Sequence, residues 1–310
     1  MWAAPHREAG RPLYSESMTV LADRRVAAYW ARQVGVLESG VARVLAGDLS
    51  AVHPTRVSLR RMRSTLRTFA PVFDPRAVER LDHELEWLAA ELGTVRDREV
   101  LLGMFTARPD LDDELREPLL TVLAEELEQH GRRLREVLAE ERVRLLVEHL
   151  RATVDDPPPT TEVDLEACRA SARRILAKRL CRAGVEDEPE RMHSARKAAK
   201  RVRYAAEIVA GDAVSLPEPL PPLSLEVAQA LTEVRRAERL QDGLGHCQDL
   251  VVARDYLLSV NAEHPVVPGR PSLALARTLA DERLASLVAV DRSDVCCEPG
   301  TLVEAPSATA

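Results

Sequence analysis

Two short stretches of the 310-residue chain concentrate basic side chains in the same pattern. The first, HPTRVSLRRMR, begins at His53, and the second, HSARKAAKRVR, begins at His193. Neither stretch contains a carboxylate, so its cations repel one another unless an anion neutralises them. Guanidinium groups bind oxyanions through pairs of parallel hydrogen bonds, and phosphate is their commonest partner of this kind. The candidate binding residues are His53, Arg56, Arg60, Arg61, Arg63, Arg67, His193, Arg196, Lys197, Lys200, Arg201 and Arg203.

The two stretches belong to an internal repeat. The first motif recurs at a constant offset of 140 residues, so that Arg56 corresponds to Arg196 and Arg60 to Lys200. Farther along, LGTVRD recurs as LGHCQD at an offset of 152 residues. A repeat of this kind indicates a duplicated structural unit, with the basic stretches in equivalent places.

Each basic stretch is expected to form a helix with a basic face beside an apolar face. A helical residue advances by about 100° around the axis, which places most cations of the first stretch in a stripe narrower than a quarter-turn. Leucine and methionine side chains fall on a neighbouring stripe that would face the core. On the second helix, Glu207 takes the place of Arg67 and ends the row. Pro54 suits the first position of a helix, which predicts His53 as the N-cap residue.

The rest of the chain shows the same helical periodicity, and strand-like alternation is absent. We therefore predict an all-α protein, divided near its middle by the proline-rich segment VDDPPPTTE. A second proline-rich segment, SLPEPLPPLS, interrupts the second half. The predicted division is a disordered N-terminus over 1–13, a first helical-bundle repeat over 14–153, a connector over 154–162, a second helical-bundle repeat over 163–290 and a disordered tail over 291–310.

Composition limits the classes of ligand. The chain has 50 acidic and 43 basic residues and a net charge of −7, so affinity for anions must come from a local concentration of charge. Aromatic residues make up only 3% of the chain, which disfavours stacking on nucleic-acid bases. We expect a cytoplasmic protein, because the sequence shows neither a membrane-spanning apolar run nor a signal peptide. The five cysteines show no metal-ligand spacing, and we expect neither a metal nor a cofactor.

Three structural alternatives remain open at this level. Acidic residues on neighbouring helices could neutralise the basic faces. Each histidine could be a packed or capping residue rather than a phosphate ligand. Gly93 and Gly245, in the two LG motifs, are expected to end their helices, and Asp97 and Asp249 could cap the next helix or orient an arginine.

The paired motifs resemble those of the CHAD family, the conserved histidine α-helical domain. The family's His-x-x-Arg motif followed by a basic helix is matched by HPTRVSLRRMR and HSARKAAKRVRY, and its second motif by LGTVRD and LGHCQD. The resemblance as a whole covers residues 14–290. The resemblance implies two pseudo-symmetric four-helix bundles around a shared basic groove, and binding of inorganic polyphosphate rather than catalysis. Some members associate with polyphosphate granules. Members with a catalytic partner carry a separate β-rich domain, and this sequence shows no strand pattern of that kind.

The favoured function is therefore non-catalytic binding of polyphosphate, by two rows of cations that converge on one chain of phosphates. One alternative is a protein that binds RNA or associates with the nucleoid through the same groove. Another is an enzyme that transfers or hydrolyses phosphate through His53 or His193, although the basic rows lack the carboxylates that such enzymes use to hold Mg²⁺. Neither a sequence-specific nucleic acid nor a membrane is expected as a partner, and the sequence does not fix the oligomeric state.

Overall fold

The computed structural model of the chain describes residues 24–70, 75–155, 164–185, 189–217 and 220–289. Within these ranges the regular structure is helical, which confirms the all-α prediction. Two short 3₁₀ helices, Leu49–Ala51 and Gly211–Ser215, accompany the α-helices. The α-helices are α1 (Arg24–Leu45), α2 (Val52–Thr68), α3 (Pro75–Thr106), α4 (Asp113–Leu138), α5 (Glu141–Asp155), α6 (Leu165–Val185), α7 (Pro189–Ala210), α8 (Leu225–Glu263) and α9 (Gly269–Ala289).

The two basic stretches lie on α2 and α7, and these two helices contact each other. α2 packs between α1 and α3, and α7 packs between α6 and α8. The LG motifs lie within α3 and α8, so each cationic helix runs beside the helix that carries the later motif of its own repeat. This arrangement brings the four motifs to one region, which we call the seam: the contact between α2 and α7 with the adjoining parts of α3 and α8.

Apolar packing holds the two halves of the chain together. The largest core cluster joins helices α1 to α5 with the C-terminal end of α7, and it includes the fully buried Trp30 and Phe69 together with Ile208. A second cluster joins α3, α4, α8 and α9 around Phe105. Burying one large apolar side chain contributes roughly 1.5–3 kcal/mol. Because both clusters contain residues from both repeats, packing fixes the position of one repeat relative to the other.

The N-terminal end of α2 differs from the predicted one. The helix begins one residue before His53, so His53 is not the N-cap, and Pro54 is the third residue of the helix. The 3₁₀ helix Leu49–Ala51 leads directly into α2, and its own cap is Asp48, whose side chain accepts a hydrogen bond from the backbone N–H of Ser50. The capping residue therefore lies before the 3₁₀ helix. Pro54 remains in the first turn, where a missing N–H group costs no helical hydrogen bond.

Several expectations concern residues outside the described ranges. They include both predicted tails, most of the predicted connector and the adjacent Cys296 and Cys297. Within the described ranges, Cys168, Cys181 and Cys247 form no disulfide. None of the described helices combines the length and the apolar character that crossing a membrane requires.

Candidate anion-binding site

The seam gathers cations that form no close ion pair with a carboxylate. Arg56 and Arg60 of α2 interact electrostatically with Arg196 and Lys200 of α7, so the two rows approach each other. All four side chains are partly buried. Among the residues that the structure describes, none of the four forms an ion pair with a carboxylate, and the Nε atoms of Arg60 and Arg196 are buried without a hydrogen-bond partner. We call these four residues the seam cations.

Lys200 shows how strongly the seam cations repel one another. Burial, followed by the charges of Arg196, Arg60 and Arg56, lowers the pKa of its ammonium group to about 6. The carboxylate of Asp249 opposes this shift only in part. The amine is therefore largely neutral at pH 7 in the ligand-free protein, and a bound polyanion would favour its charged form. Burial and neighbouring cations also lower the pKa of Arg56 and Arg196, which stay charged at this pH.

The two histidines lie one turn before Arg56 and Arg196 on their helices. Partial burial lowers the pKa of His53 and His193 below the usual 6.5, and neighbouring cations lower it further. The Nδ1 atom of His193 is buried without a hydrogen-bond partner in the described structure. A nearby anion would favour the charged form of both imidazoles. Their contact with phosphate remains a prediction, in keeping with this placement.

Gly93 and Gly245 make room for the arginines of the seam. They lie in the interior of α3 and α8, so the prediction that they end their helices was wrong. A Cβ atom at Gly93 would lie 3.4 Å from Nε and Nη2 of Arg56, and one at Gly245 would lie 3.0 Å from Nη2 of Arg196. Because glycine has no side chain, each guanidinium can lie close to the neighbouring helix. Nε of Arg56 donates a hydrogen bond to the carbonyl of Ala89 at 3.4 Å. The LG motifs are thus part of the site.

Asp97 and Asp249 lie one turn after these glycines. Partial desolvation raises the pKa of both carboxyls, and the charges of Arg56 and Arg196, each from the same repeat, oppose the rise. Both residues lie in the middle of a helix, so neither caps a helix. Two roles were predicted for these residues, capping a helix and orienting an arginine. Their positions exclude the first and are compatible with the second.

Glu207 joins the two repeats beside the seam. Its buried carboxylate accepts two hydrogen bonds from Arg61, at 3.0 and 3.1 Å. It also accepts one from the hydroxyl of Tyr29 at 2.8 Å and one from Nε of Arg203 at 3.0 Å. Arg203 forms a second ion pair with Glu238 at 2.9 Å. Arg61 and Arg203 are therefore neutralised within the protein, and they tie α1, α2 and α7 together.

Another carboxylate divides the basic face of α2. Asp82 of α3 accepts hydrogen bonds from Arg63 at 3.0 Å and from Arg67 at 2.7 Å, and Glu86 binds Arg63 at 2.8 Å. The unpaired part of the predicted row on α2 therefore ends at Arg60. Neutralisation by acids on a neighbouring helix, which the sequence left open, holds for the C-terminal half of this face only.

The predicted residues fall into three groups in the structure. Lys197 is exposed, and Arg201 is half-buried near Arg179 and Arg67, whose charges add to burial in lowering its pKa. Neither residue forms an ion pair with a described carboxylate. The groups are the seam cations with their histidines (His53, Arg56, Arg60, His193, Arg196, Lys200), the internally paired arginines (Arg61, Arg63, Arg67, Arg203) and the outer cations (Lys197, Arg201).

Two residues that sequence reasoning missed lie at the edge of the seam. Arg96 lowers the pKa of His53, although it also pairs with Glu99 at 3.1 Å. His246 acts on the carboxyl of Asp249 and, after Arg196, opposes the rise of its pKa that burial causes. Both lie inside the repeated LG motifs, and this position in the sequence could have identified them as residues of the site.

A cluster outside the seam places three potential metal ligands together, Glu126, Glu263 and His264. The buried carboxylate of Glu126 pairs with Arg98 at 2.5 Å and with Nε2 of His264 at 3.0 Å. It also accepts a hydrogen bond from the hydroxyl of Tyr256 at 3.2 Å. The arginine already supplies the positive charge that a cation would bring, so this group is best described as a structural ion-pair network.

The same arrangement of helices occurs in solved structures. The CHAD domain from the plant Ricinus communis matches with a TM-score of 0.65 and 21% sequence identity, over 92% of this chain and 95% of that one. PptA from Streptomyces chartreusis matches with a TM-score of 0.67 and 17% identity, over 86% of this chain and 96% of that one. At these identities the similarity shows the fold alone.

Similarity in sequence extends to two uncharacterized proteins of Mycobacterium tuberculosis. MT2285 of strain CDC 1551 / Oshkosh and Rv2226 of strain ATCC 25618 / H37Rv are each 29% identical over 230 residues, or 69% of this chain. This chain spans 41% of the length of these relatives. The family model of the CHAD domain matches residues 28–258, a range that includes both basic stretches and both LG motifs. The chain therefore belongs to the CHAD family.

Proposed function

We propose that the protein binds inorganic polyphosphate at the seam and catalyses no reaction. The observation that carries the proposal is the set of four partly buried cations that form no ion pair with a carboxylate in the described structure. Water screens like charges poorly where they are buried, so their repulsion opposes folding. A multivalent anion that reaches all four would remove this repulsion and would accept hydrogen bonds from the unsatisfied donors.

The arrangement suits an elongated anion with closely repeated phosphates. Arg56 and Arg60 lie one helical turn apart, about 6 Å along α2, and Arg196 and Lys200 repeat this spacing on α7. Each guanidinium can hold two oxygens of one phosphoryl group, so successive cations can hold successive phosphates. We infer that the duplicated unit forms two pseudo-symmetric four-helix bundles that present one row each to the same chain of phosphates.

Membership of the CHAD family supports this assignment, because the family is generally associated with polyphosphate. The longer relatives contain sequence that this chain does not match, so the proposal concerns the matched helical domain alone. Binding of this kind would hold the protein at polyphosphate granules in the cytoplasm.

RNA and phosphate transfer are the competing functions, and the seam suits both less well. Tyr204 lies on α7 itself, and its buried ring packs against Arg61 with 5.5 Å between the ring centre and the guanidinium carbon. It cannot stack on a base in that position. Phosphate transfer uses carboxylates that hold Mg²⁺ against the phosphates, and Asp97 and Asp249 interact instead with arginines of the seam.

The proposal is tested by titrating polyphosphate of defined length, and RNA of similar charge, at several salt concentrations. Polyphosphate should bind more tightly, and its affinity should fall steeply with salt if several phosphates are engaged together. Arg60→Glu and Lys200→Glu should each lower the affinity at least about tenfold, because the remaining row must then hold a chain that the new carboxylate repels. Lys178→Glu is the matched control, since this lysine is exposed on α6 away from the seam.

Three results would contradict the proposal. Equal affinity for RNA would favour a general nucleic-acid binder. Release of inorganic phosphate that depends on a divalent metal would indicate an enzyme. Two independent sites, each lost in only one of the two variants, would rule out a single chain held by both rows.

A further inference from the structure

Lysine is rare in this protein. The sequence contains three lysines beside 40 arginines, and all three lie in the described part. Lys178 and Lys197 are exposed, whereas Lys200 is partly buried in the seam at the position equivalent to Arg60. The repeat therefore places an amine where its first copy has a guanidinium, and only the amine can lose its proton near neutral pH.

The groups around Lys200 favour its neutral form. Arg56 and Arg60 act on it from α2, Arg196 from α7 and Asp249 from α8, so three positive charges oppose one negative charge. No described carboxylate forms an ion pair with its amine. A lysine that is desolvated and next to other cations keeps a free electron pair on Nζ, which makes it a nucleophile.

We propose that Lys200 accepts acyl groups from small acyl phosphates that bind at the seam. This inference rests on the proposed function, because the same arginines that would bind polyphosphate would hold the phosphate of the acyl donor. Binding by Arg196 and Arg60 would place the carbonyl group of the donor beside the amine, which removes much of the entropic barrier to attack. A small acyl phosphate carries at most two negative charges, and these arginines neutralise them, so burial continues to favour the neutral amine while the donor is bound. An arginine at this position could not react in this way.

The reaction balances without a further reactant. Nζ of Lys200 attacks the carbonyl carbon, the bond between that carbon and the bridging oxygen breaks, and phosphate leaves with the electron pair. One proton of the amine passes to the departing phosphate or to water. The products are an amide on Lys200 and inorganic phosphate. Since an amide does not take up a proton, the modified seam cannot gain the charge that a bound polyanion would otherwise induce there.

The test uses the unmodified full chain and acetyl phosphate, with acetylation of each lysine followed by mass spectrometry. Lys200 should react at least about tenfold faster than Lys178 or Lys197, because those two lysines are exposed and are not enclosed by the arginines that would hold the phosphate of the donor. Tripolyphosphate should slow the reaction at Lys200 and leave Lys178 unchanged. Acetylated protein should bind polyphosphate more weakly, and the same treatment of Lys200→Arg should cause no such loss.

A second reagent, N-acetoxysuccinimide, separates this inference from the proposed function because it carries no phosphate. If it labels Lys200 rapidly while acetyl phosphate does not, the acyl-phosphate proposal is refuted and the phosphate site itself is in doubt. Equal labelling of all three lysines by both reagents would refute the inference alone, since polyphosphate affinity is measured independently. Labelling by acetyl phosphate that tripolyphosphate does not slow at Lys200 would also overturn it.

Discussion

Replacement of Gly245 by alanine should stabilise the fold and weaken the anion site at the same time. Gly245 lies in the interior of α8, where glycine is less stable than alanine by roughly 0.5–1 kcal/mol. The new Cβ would lie 3.0 Å from Nη2 of Arg196 and 3.4 Å from its Cζ, which is closer than an ordinary contact. The long arginine side chain can shift by a few tenths of an ångström. The fold should therefore keep the stability gained in the helix, while the guanidinium of Arg196 is displaced slightly from its position in the seam.

Gly93→Ala is the matched comparison in the other repeat. Its Cβ would lie no closer than 3.4 Å to the guanidinium of Arg56, so the arginine can stay almost where it is. Hydrogen bonds to charged groups contribute about 1.5–3 kcal/mol, and a partial loss of about 1 kcal/mol at Gly245→Ala corresponds to roughly fivefold weaker binding. Gly93→Ala should show a similar gain in stability with a smaller loss of affinity.

Urea denaturation of the ligand-free variants and calorimetric titration with tripolyphosphate measure the two effects separately. The reasoning predicts opposite signs for Gly245→Ala, with a higher free energy of unfolding and a lower affinity. Destabilisation by this variant would show that Arg196 cannot move aside. Unchanged affinity in both glycine variants would show that these arginines do not bind the anion.

Four further predictions concern the carboxylates and the titrating groups. Glu207→Ala should lower the free energy of unfolding by about 3 kcal/mol, because it leaves a partly buried arginine unpaired, and a urea midpoint equal to that of the wild type would contradict this. Asp82→Ala should release Arg67, while Arg63 keeps its ion pair with Glu86, so calorimetry should show tighter polyphosphate binding alongside lower stability; weaker binding would mean that the released side chain does not extend the row. The ligand-free protein should become more stable as pH rises from about 6 toward 10, because unfolded Lys200 binds a proton in that window and folded Lys200 does not, and Lys200→Met should flatten this rise in urea titrations. Polyphosphate affinity should instead increase as pH falls toward 6, since a bound anion raises the pKa of Lys200, His53 and His193; replacement of both histidines by Gln should reduce that dependence, and an unchanged profile would assign them to packing.

Local periodicity was sufficient to predict the helices and the two basic faces. Positions of Arg56 and Arg60 on one side of a helix depend only on the spacing of residues along the chain. The partners of the other cations could not be predicted in this way. Arg61 and Glu207 are 146 residues apart, and their ion pair exists only because tertiary packing brings α2 beside α7.

The glycines illustrate a second limit of sequence reasoning. Glycine inside a helix is unfavourable, so a position at the end of a helix was the reasonable expectation for Gly93 and Gly245. The compensating contact is made by an arginine from another helix, and no local pattern reveals it. Glycine and arginine recur at equivalent places in both halves of the sequence. Only the short distance between each glycine and the arginine of its repeat, seen in the structure, shows that the two residues are in contact.

The two rows of the seam lie on α2 and α7, and the ribosome synthesises α7 long after α2. Until α7 emerges, Arg56 and Arg60 of a nascent chain have no second row opposite them, and Arg61 lacks Glu207. A fragment that stops before α7 would therefore carry an ordinary basic helix in place of a binding site. Since a ligand stabilises only the form that binds it, polyphosphate would protect finished molecules and leave truncated ones exposed to proteolysis.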